Sequence, residues 1–132
     1  MNRLLGIAIL AGALLTGVSC GGGDSTGSGP GTLKVRLTAP AANADSAIVF
    51  TITGPAAPTS ATAAIGLRLF QSSAGTTTHY VLVGSLANGA AILTIGVPDV
   101  SAYSQYHGTV DGVAQANYQV RLLNGYALAL TR

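Results

Sequence analysis

The segment Leu33-Lys34-Val35-Arg36-Leu37-Thr38 alternates strictly between apolar and polar side chains. Successive side chains of an extended chain point to opposite faces, so this pattern predicts a β-strand with one buried and one solvated face. Comparable short segments continue along the chain, and we predict further strands at residues 47–53, 65–69, 79–86, 90–97, 103–110, 118–123 and 126–130. No long segment with the helical period of 3.6 residues follows residue 32. The pattern is typical of an all-β protein.

Turn-forming residues separate these strands. Asn88-Gly89 and Asn124-Gly125 accept the positive φ angles of tight turns, which predicts a hairpin around each dipeptide. Residues 55–63, rich in Pro, Ala, Thr and Ser, are predicted to form a loop, and residues 72–77 a polar turn. Seven or eight short strands with turns at fairly regular spacing predict an antiparallel β-sandwich. Its architecture is expected to be Ig-like, although the immunoglobulin cysteine pair and tryptophan are absent from the sequence.

The sandwich is predicted to occupy residues 32–132, behind a tether at residues 20–31. The tether is rich in Gly and Ser, a composition that behaves as a flexible coil and buries no apolar surface. Residues 32–132 are enough for one domain and too few for two. The chain has one cysteine, so no disulfide can form within it, and the apolar core must stabilise the fold.

The first twenty residues have the layout of an export signal. Met1-Asn2-Arg3 carries a positive charge, residues 4–15 form an apolar run, and small residues lead to Cys20. The run is shorter than the about 20 apolar residues of a membrane-spanning helix. Ser19 and Val18 before Cys20 resemble the lipobox of bacterial lipoproteins, although Gly17 stands where that family usually has a leucine.

This resemblance implies that residues 1–19 are a signal peptide, cut before Cys20. In that family the cysteine thiol receives a diacylglycerol and the new amino group is often acylated, for example with palmitate. Two acyl chains suffice for stable anchoring. The expected location is therefore the cell envelope, with the membrane bound through Cys20. Gly21 follows the cysteine in place of the aspartate that retains such proteins in the inner membrane, which favours the outer membrane in a Gram-negative cell.

Composition narrows the possible partners and chemistries. Only 8% of the residues are charged and the net charge is +2, without a basic patch interleaved with aromatics, so no nucleic-acid partner is predicted. The sequence contains no His-x-His spacing, no Gly-x-Ser-x-Gly elbow and no phosphate-binding loop. We predict no metal, no cofactor and no catalytic residue. An envelope protein or a glycan is the expected partner.

The ionisable residues after residue 19 have simple structural interpretations. They include four aspartates, four arginines and two histidines. Aspartates in loops and turns usually bond their own backbone, and each arginine is expected to solvate an outward face. The alternative is a small hydrolase with a His–Asp pair. Its histidine would be His79 or His107, and its aspartate Asp99 or Asp111.

Tyr103, Tyr106 and His107 form the one cluster of polar and aromatic residues in the chain. If exposed together, they could stack on a sugar or anchor a protein partner, which makes a carbohydrate-binding module a further alternative. If buried, the two tyrosines are ordinary core residues. The sequence thus favours a non-catalytic, lipid-anchored envelope protein that binds or makes structural contacts, and its sheet edges leave room for strand addition by a partner.

Overall fold

A computed structural model describes residues 28–40 and 45–132 of the chain. These residues form eight β-strands and one 3₁₀ helix, Val100–Gln105. The strands are β1 (Gly31–Thr38), β2 (Asp45–Thr53), β3 (Ser60–Ala63), β4 (Arg68–Ala74), β5 (Thr77–Leu86), β6 (Ala91–Val97), β7 (His107–Gln115) and β8 (Ala127–Thr131). The predicted signal peptide and Cys20 lie outside the described residues. β1 begins at Gly31, where the predicted tether ends.

The strands form two four-stranded antiparallel sheets. The first has the order β3-β6-β1-β8 and the second the order β4-β5-β2-β7. Six of the seven connections cross from one sheet to the other, and only β4 and β5 are sequence neighbours that pair as a hairpin. The predicted all-β antiparallel sandwich is therefore confirmed.

The core lies between the sheets and follows from the period-two pattern. Leu33, Val35 and Leu37 of β1 are buried, while the polar residues between them are exposed, as the alternation predicts. β2 contributes Ile48, Phe50 and Ile52 in the same way. Each such side chain contributes about 1.5–3 kcal/mol on full burial, before entropy is counted. The rings of Phe50 and Tyr80 stack with their centroids 5.4 Å apart.

The predicted hairpin at Asn88-Gly89 is wrong. Gly89 does adopt a positive φ of 80°, but the turn leads from β5 in one sheet to β6 in the other. The turn is bonded to the end of β1. The amide of Ala39, which directly follows β1, donates to Asn88 Oδ1 at 2.9 Å, and the Gly89 amide donates to the Leu37 carbonyl at 2.7 Å. Because β5 and β6 both have apolar side chains on one face, each strand can pack in its own sheet and need not pair with the other. An Asn-Gly turn does not decide between these arrangements.

The prediction at Asn124-Gly125 is also wrong, because residues 118–123 form no strand and β8 pairs with β1. The third strand was predicted at 65–69, yet those residues contain a turn between β3 and β4. The predicted loop contains β3, and the predicted polar turn contains residues 72–74 at the end of β4. The one hairpin turns at Gly75, whose φ is 63°, and its two-residue loop has glycine first, as a type II′ turn requires.

The two lateral sides of the sandwich differ. On the closed side, defined here as β7, β8 and residues 116–126, the edge strands of the two sheets lie against each other. A Cβ atom built on Gly108 of β7 would lie 3.1 Å from Leu128 of β8, so the close approach of the two strands leaves little room for a side chain there. On the open side, defined as β3 and β4, the two edge strands scarcely touch.

The two ends of the sandwich also differ. The end where β1 begins, called the tether end, carries the 3₁₀ helix, because β1 starts opposite the end of β6. The opposite end, called the far end, carries residues 116–126 and the turn at 64–67. Within the described residues, no helix is long and apolar enough to cross a membrane.

Candidate functional site

The structure does not bring the two predicted tyrosines together on an exposed face. Tyr106 is 4% exposed, and its ring lies directly over Gly54, where any side chain would collide with it. Burial raises the pKa of Tyr106, and the backbone of Ala56 beside the hydroxyl opposes that rise. Tyr103 is half-buried beneath the Arg132 guanidinium, which lies 4.1 Å from the ring centroid. The tyrosines therefore offer no flat shared platform for a sugar.

His107, the third residue of that cluster, is exposed at the start of β7. Its register partner on β2 is Thr53, which places His107 on the outer face of the second sheet. It lies at the tether end of that face, separate from the enclosed ring of Tyr106.

Asp99 holds the chain that leads from the predicted tether. Its Oδ1 atom accepts hydrogen bonds from the Ser101 hydroxyl at 2.6 Å, the Ser101 amide at 3.0 Å and the Gly29 amide at 3.3 Å. These donors hold the pKa of the Asp99 carboxyl below its usual range, the Ser101 hydroxyl most strongly. The Val100 amide returns a bond to the Gly29 carbonyl at 2.8 Å. The expectation that Asp99 bonds nearby backbone is confirmed, and the bonds fix the chain's exit at the tether end.

Thr51, His79 and Asp111 meet on the outer face of the second sheet, on three adjacent strands. The Thr51 hydroxyl donates to Asp111 Oδ2 at 2.5 Å and lies 3.0 Å from His79 Nδ1. The single hydroxyl proton of Thr51 is directed to Asp111. The His79 imidazole must therefore donate the hydrogen bond between His79 and Thr51. A nucleophilic triad needs the imidazole between hydroxyl and carboxylate. Here the hydroxyl stands in the middle on an open face, an order that does not activate it.

Asp111 was expected to bond its own backbone in a turn, and this expectation is wrong. It lies within β7, where the register with β2 shifts between Val49 and Phe50. The shift inserts an extra residue in β7, so the Asp111 side chain points to the outer face and reaches Thr51.

The most buried charge of the described residues is Asp45, which is 2% exposed. Its Oδ1 atom accepts a hydrogen bond from Arg121 Nε at 2.8 Å, and its Oδ2 atom accepts one from the Tyr126 hydroxyl at 2.6 Å. Burial, aided by the Asp45 charge, raises the pKa of Tyr126 to about 12. These three residues, called here the Asp45 cluster, join β2 to the connection between β7 and β8.

The Asp45 cluster is not predictable from the sequence pattern. Asp45 was expected to bond its own backbone in a loop, and Arg121 to solvate an outward face. The odd-numbered residues of β2 face outward. A register shift between Asp45 and Ala47 reverses this at Asp45 and places its side chain on the inward face. No sequence signal links it to partners 76 and 81 residues away. A cavity of about 420 Å³ opens beside the cluster at the far end, lined by Pro40, Gln115, Val120, Arg121, Leu122, Asn124 and Tyr126.

The outer face of the second sheet has an apolar half and a polar half. Register places Phe70, Val81, Val49 and Gly112 in one row across the four strands. Ser72, His79, Thr51 and Thr109 form the next row toward the tether end. Phe70 is 55% exposed and is the most exposed large apolar side chain within the eight strands. The face therefore carries both apolar surface and hydrogen-bonding groups.

Among the described residues, no three His, Cys, Asp or Glu side chains lie together in a way that could hold a metal ion. Comparisons of the chain with protein-family models, with curated proteins and with solved structures found no match. The proposals below therefore depend on the residues and their geometry alone.

Proposed function

We propose that this chain is a lipid-anchored protein of the bacterial cell envelope whose β-sandwich acts as a non-catalytic binding module. The observation that carries the proposal is the order of its parts: an export signal, Cys20, a Gly/Ser tether and a folded sandwich that starts at Gly31. In this arrangement acyl chains on Cys20 hold the domain at a membrane surface. For a Gram-negative cell, Gly21 favours the outer membrane.

The position of the tether supports this arrangement. Gly29 is bonded to Asp99 and Val100 at the tether end, so the chain leaves the sandwich there. Residues 20–28 span at most about 30 Å when fully extended, which keeps the tether end close to the membrane. The exposed apolar side chains of Ile65, Tyr118 and Leu122 belong to far-end connections. They therefore point away from the anchor, toward partners in the envelope.

A binding role agrees better with the described side chains than either alternative. A glycan platform built on Tyr103 and Tyr106 lacks exposed rings, and a His–Asp hydrolase lacks an imidazole placed between a hydroxyl and a carboxylate. The outer face of the second sheet instead offers apolar and polar groups side by side. An envelope protein is accordingly the partner we favour.

The anchor is tested with a Cys20→Ser variant of the full chain, expressed in a bacterium beside the unchanged protein. Ser25→Ala in the tether is the matched control. We expect the unchanged protein and the control in the membrane fraction, with an amino-terminal peptide that begins at Cys20 and carries the mass of its acyl groups. Cys20→Ser should keep its leader and lack those groups. An unmodified thiol on a protein found in the soluble fraction would contradict the proposal.

A further inference from the structure

Within residues 28–40 and 45–132, no strand pairs with the outer edge of β4, which presents its backbone groups in a regular pattern. The two-residue turn at Gly75 makes Ala74 and Thr77 a hydrogen-bonded pair, and such pairs alternate along an antiparallel ladder. Arg68, Phe70 and Ser72 therefore direct their amides and carbonyls to β5. Leu69, Gln71 and Ser73 direct theirs away from the sheet, at three successive positions where a further strand could bond.

The other edges are shortened or covered. β3 has four residues, and Pro58 lies two residues before it. β7 and β8 lie against each other, and residues 119–121 occupy part of the β7 edge through the bonds Gln115 N–H to Gln119 O and Arg121 N–H to Val113 O, both 2.8 Å. β4 has seven residues, pairs with β5 without a register shift, and contains no proline or lysine. Apart from the charge of Arg68 at its start, β4 lacks the devices by which proteins block edge pairing.

The side chains of β4 indicate what kind of strand fits. Arg68 and Phe70, two residues apart, lie on the outer face, and Phe70 is 55% exposed. Within residues 28–40 and 45–132, the Arg68 guanidinium has no carboxylate partner. A strand bonded to this edge would lie about 4.8 Å away, with its side chains beside those of β4.

We propose that the β4 edge binds an extended peptide strand of another protein, which places an apolar side chain beside Phe70 and a carboxylate beside Arg68. The inference deepens the binding function proposed above and rests on it. A second copy of β4 is a poorer occupant, because β4 contains no carboxylate that could face Arg68. Backbone hydrogen bonds would provide the affinity. The spacing between the carboxylate and the apolar side chain would provide the selectivity.

The test uses the full chain purified in detergent and a fluorescent synthetic peptide, acetyl-Thr-Thr-Thr-Thr-Val-Thr-Asp-amide. Antiparallel to β4, this peptide places Asp beside Arg68 and Val beside Phe70. Two control peptides have Lys in place of Asp, or Val and Asp as direct neighbours. We expect the first peptide to bind about threefold more tightly than either control, the size of effect that an exposed ion pair produces. Exchanging the charges, Arg68→Glu with the Lys peptide, should restore the preference.

Gln71→Pro tests the backbone. Proline removes an amide that faces away from β5, so the ladder within the sheet is kept and the domain stays folded. Peptide binding should fall about tenfold or more, since a bond is lost and the ring obstructs the edge. Gln71→Thr, which keeps the amide, should bind normally. Thermal unfolding of both variants verifies that they are folded.

Equal binding of all three peptides, or normal binding to Gln71→Pro, would overturn the proposal. So would a concentration-dependent dimer that Gln71→Pro abolishes, because it would identify a second copy as the occupant. The anchor is tested separately: Cys20→Ser should bind the peptide normally, and Gln71→Pro should remain in the membrane fraction. A failure of one proposal is thus distinguishable from a failure of the other.

Discussion

The closed side and the open side of this sandwich differ in how their edge strands are covered. On the closed side, β7 and β8 lie against each other, and the Asp45 cluster links their connection to β2. On the open side, β4 has an unbroken edge of backbone groups and the exposed ring of Phe70. One side therefore contributes to stability, while the other is the side at which we propose binding. Substitutions on the two sides should separate these roles.

The largest effect is expected for Asp45→Ala. The change leaves the Arg121 guanidinium and the Tyr126 hydroxyl without their acceptor in a largely buried place. Removing one partner of such an ion pair typically costs about 3 kcal/mol or more of the free energy of unfolding. Urea denaturation measures the change. Asp111→Ala, on the open outer face, is the matched control and should cost less than about 1 kcal/mol. Similar losses for both variants would mean that the buried Asp45 cluster stabilises the fold no more than the solvated contact of Asp111 does.

Alkaline pH should destabilise the fold next most strongly. Burial raises the pKa of Tyr80 to about 12, and the pKa of Tyr126 also reaches about 12. Below pH 10 both phenols are neutral in the folded and unfolded chain, so their contribution is fully present. Between pH 10 and about 12 the unfolded chain loses protons that the folded chain keeps. Stability therefore falls, by about 1.4 kcal/mol per pH unit for the buried Tyr80.

Urea denaturation across this range, with tyrosinate absorbance as a second readout, checks the prediction. Tyr80→Phe should make the decline shallower, because it removes one of the two titrating groups. A stability that stays constant from pH 10 to pH 12 would show that these phenols ionise equally in both states.

Two tyrosine-to-phenylalanine changes compare the closed side with the core of the sandwich. The Tyr126 hydroxyl donates to Asp45, whereas the buried Tyr80 hydroxyl has no hydrogen-bond partner among the described residues. Tyr126→Phe should therefore cost about 1.5–2 kcal/mol, the lower part of the usual range for a bond to a charged group, because Tyr126 is only partly buried. Tyr80→Phe should be neutral or stabilising, because it removes a hydroxyl that is buried without a bond. Equal losses in thermal or urea unfolding would contradict the contrast.

The smallest effect on stability is expected for Phe70→Thr on the open side. More than half of the side chain is exposed, so the free energy of unfolding should change by no more than about 0.5 kcal/mol. The same variant should bind the Thr-Val-Thr-Asp peptide more weakly, since the apolar contact is lost. A marked loss of stability would mean that Phe70 belongs to the packed core rather than to a binding edge.

Much of the fold was predictable from the sequence, because burial on one face imposes a period of two. The alternation in β1 correctly predicts which of its residues are buried, and β2, β5 and β6 follow the same rule. β3 and residues 70–74 of β4 were missed because, apart from Phe70, their side chains are small or polar and mostly exposed. Their pairing depends on the neighbouring strands β6 and β5, which local composition does not reveal.

The order of the strands was less predictable than their existence. Asn88-Gly89 and Asn124-Gly125 both contain a glycine with positive φ, and neither turn joins paired strands. The Asp45 cluster and the bonds of Thr51 depend on register shifts in β2 and β7, which move a side chain to the other face. The Asp99 bonds were foreseen in part because they are local. Polar contacts between residues far apart in the sequence could not be predicted from residue spacing.

Amide hydrogen exchange of the full chain in detergent tests the difference between the two sides most directly. The amides of Phe70 and Ser72, bonded to β5, should exchange slowly, as should Gln115 and Arg121 on the closed side. Leu69, Gln71 and Ser73 should exchange fast and become protected when the Thr-Val-Thr-Asp peptide is added. Slow exchange at these three residues in the free protein would show that the β4 edge is already covered and would contradict the account.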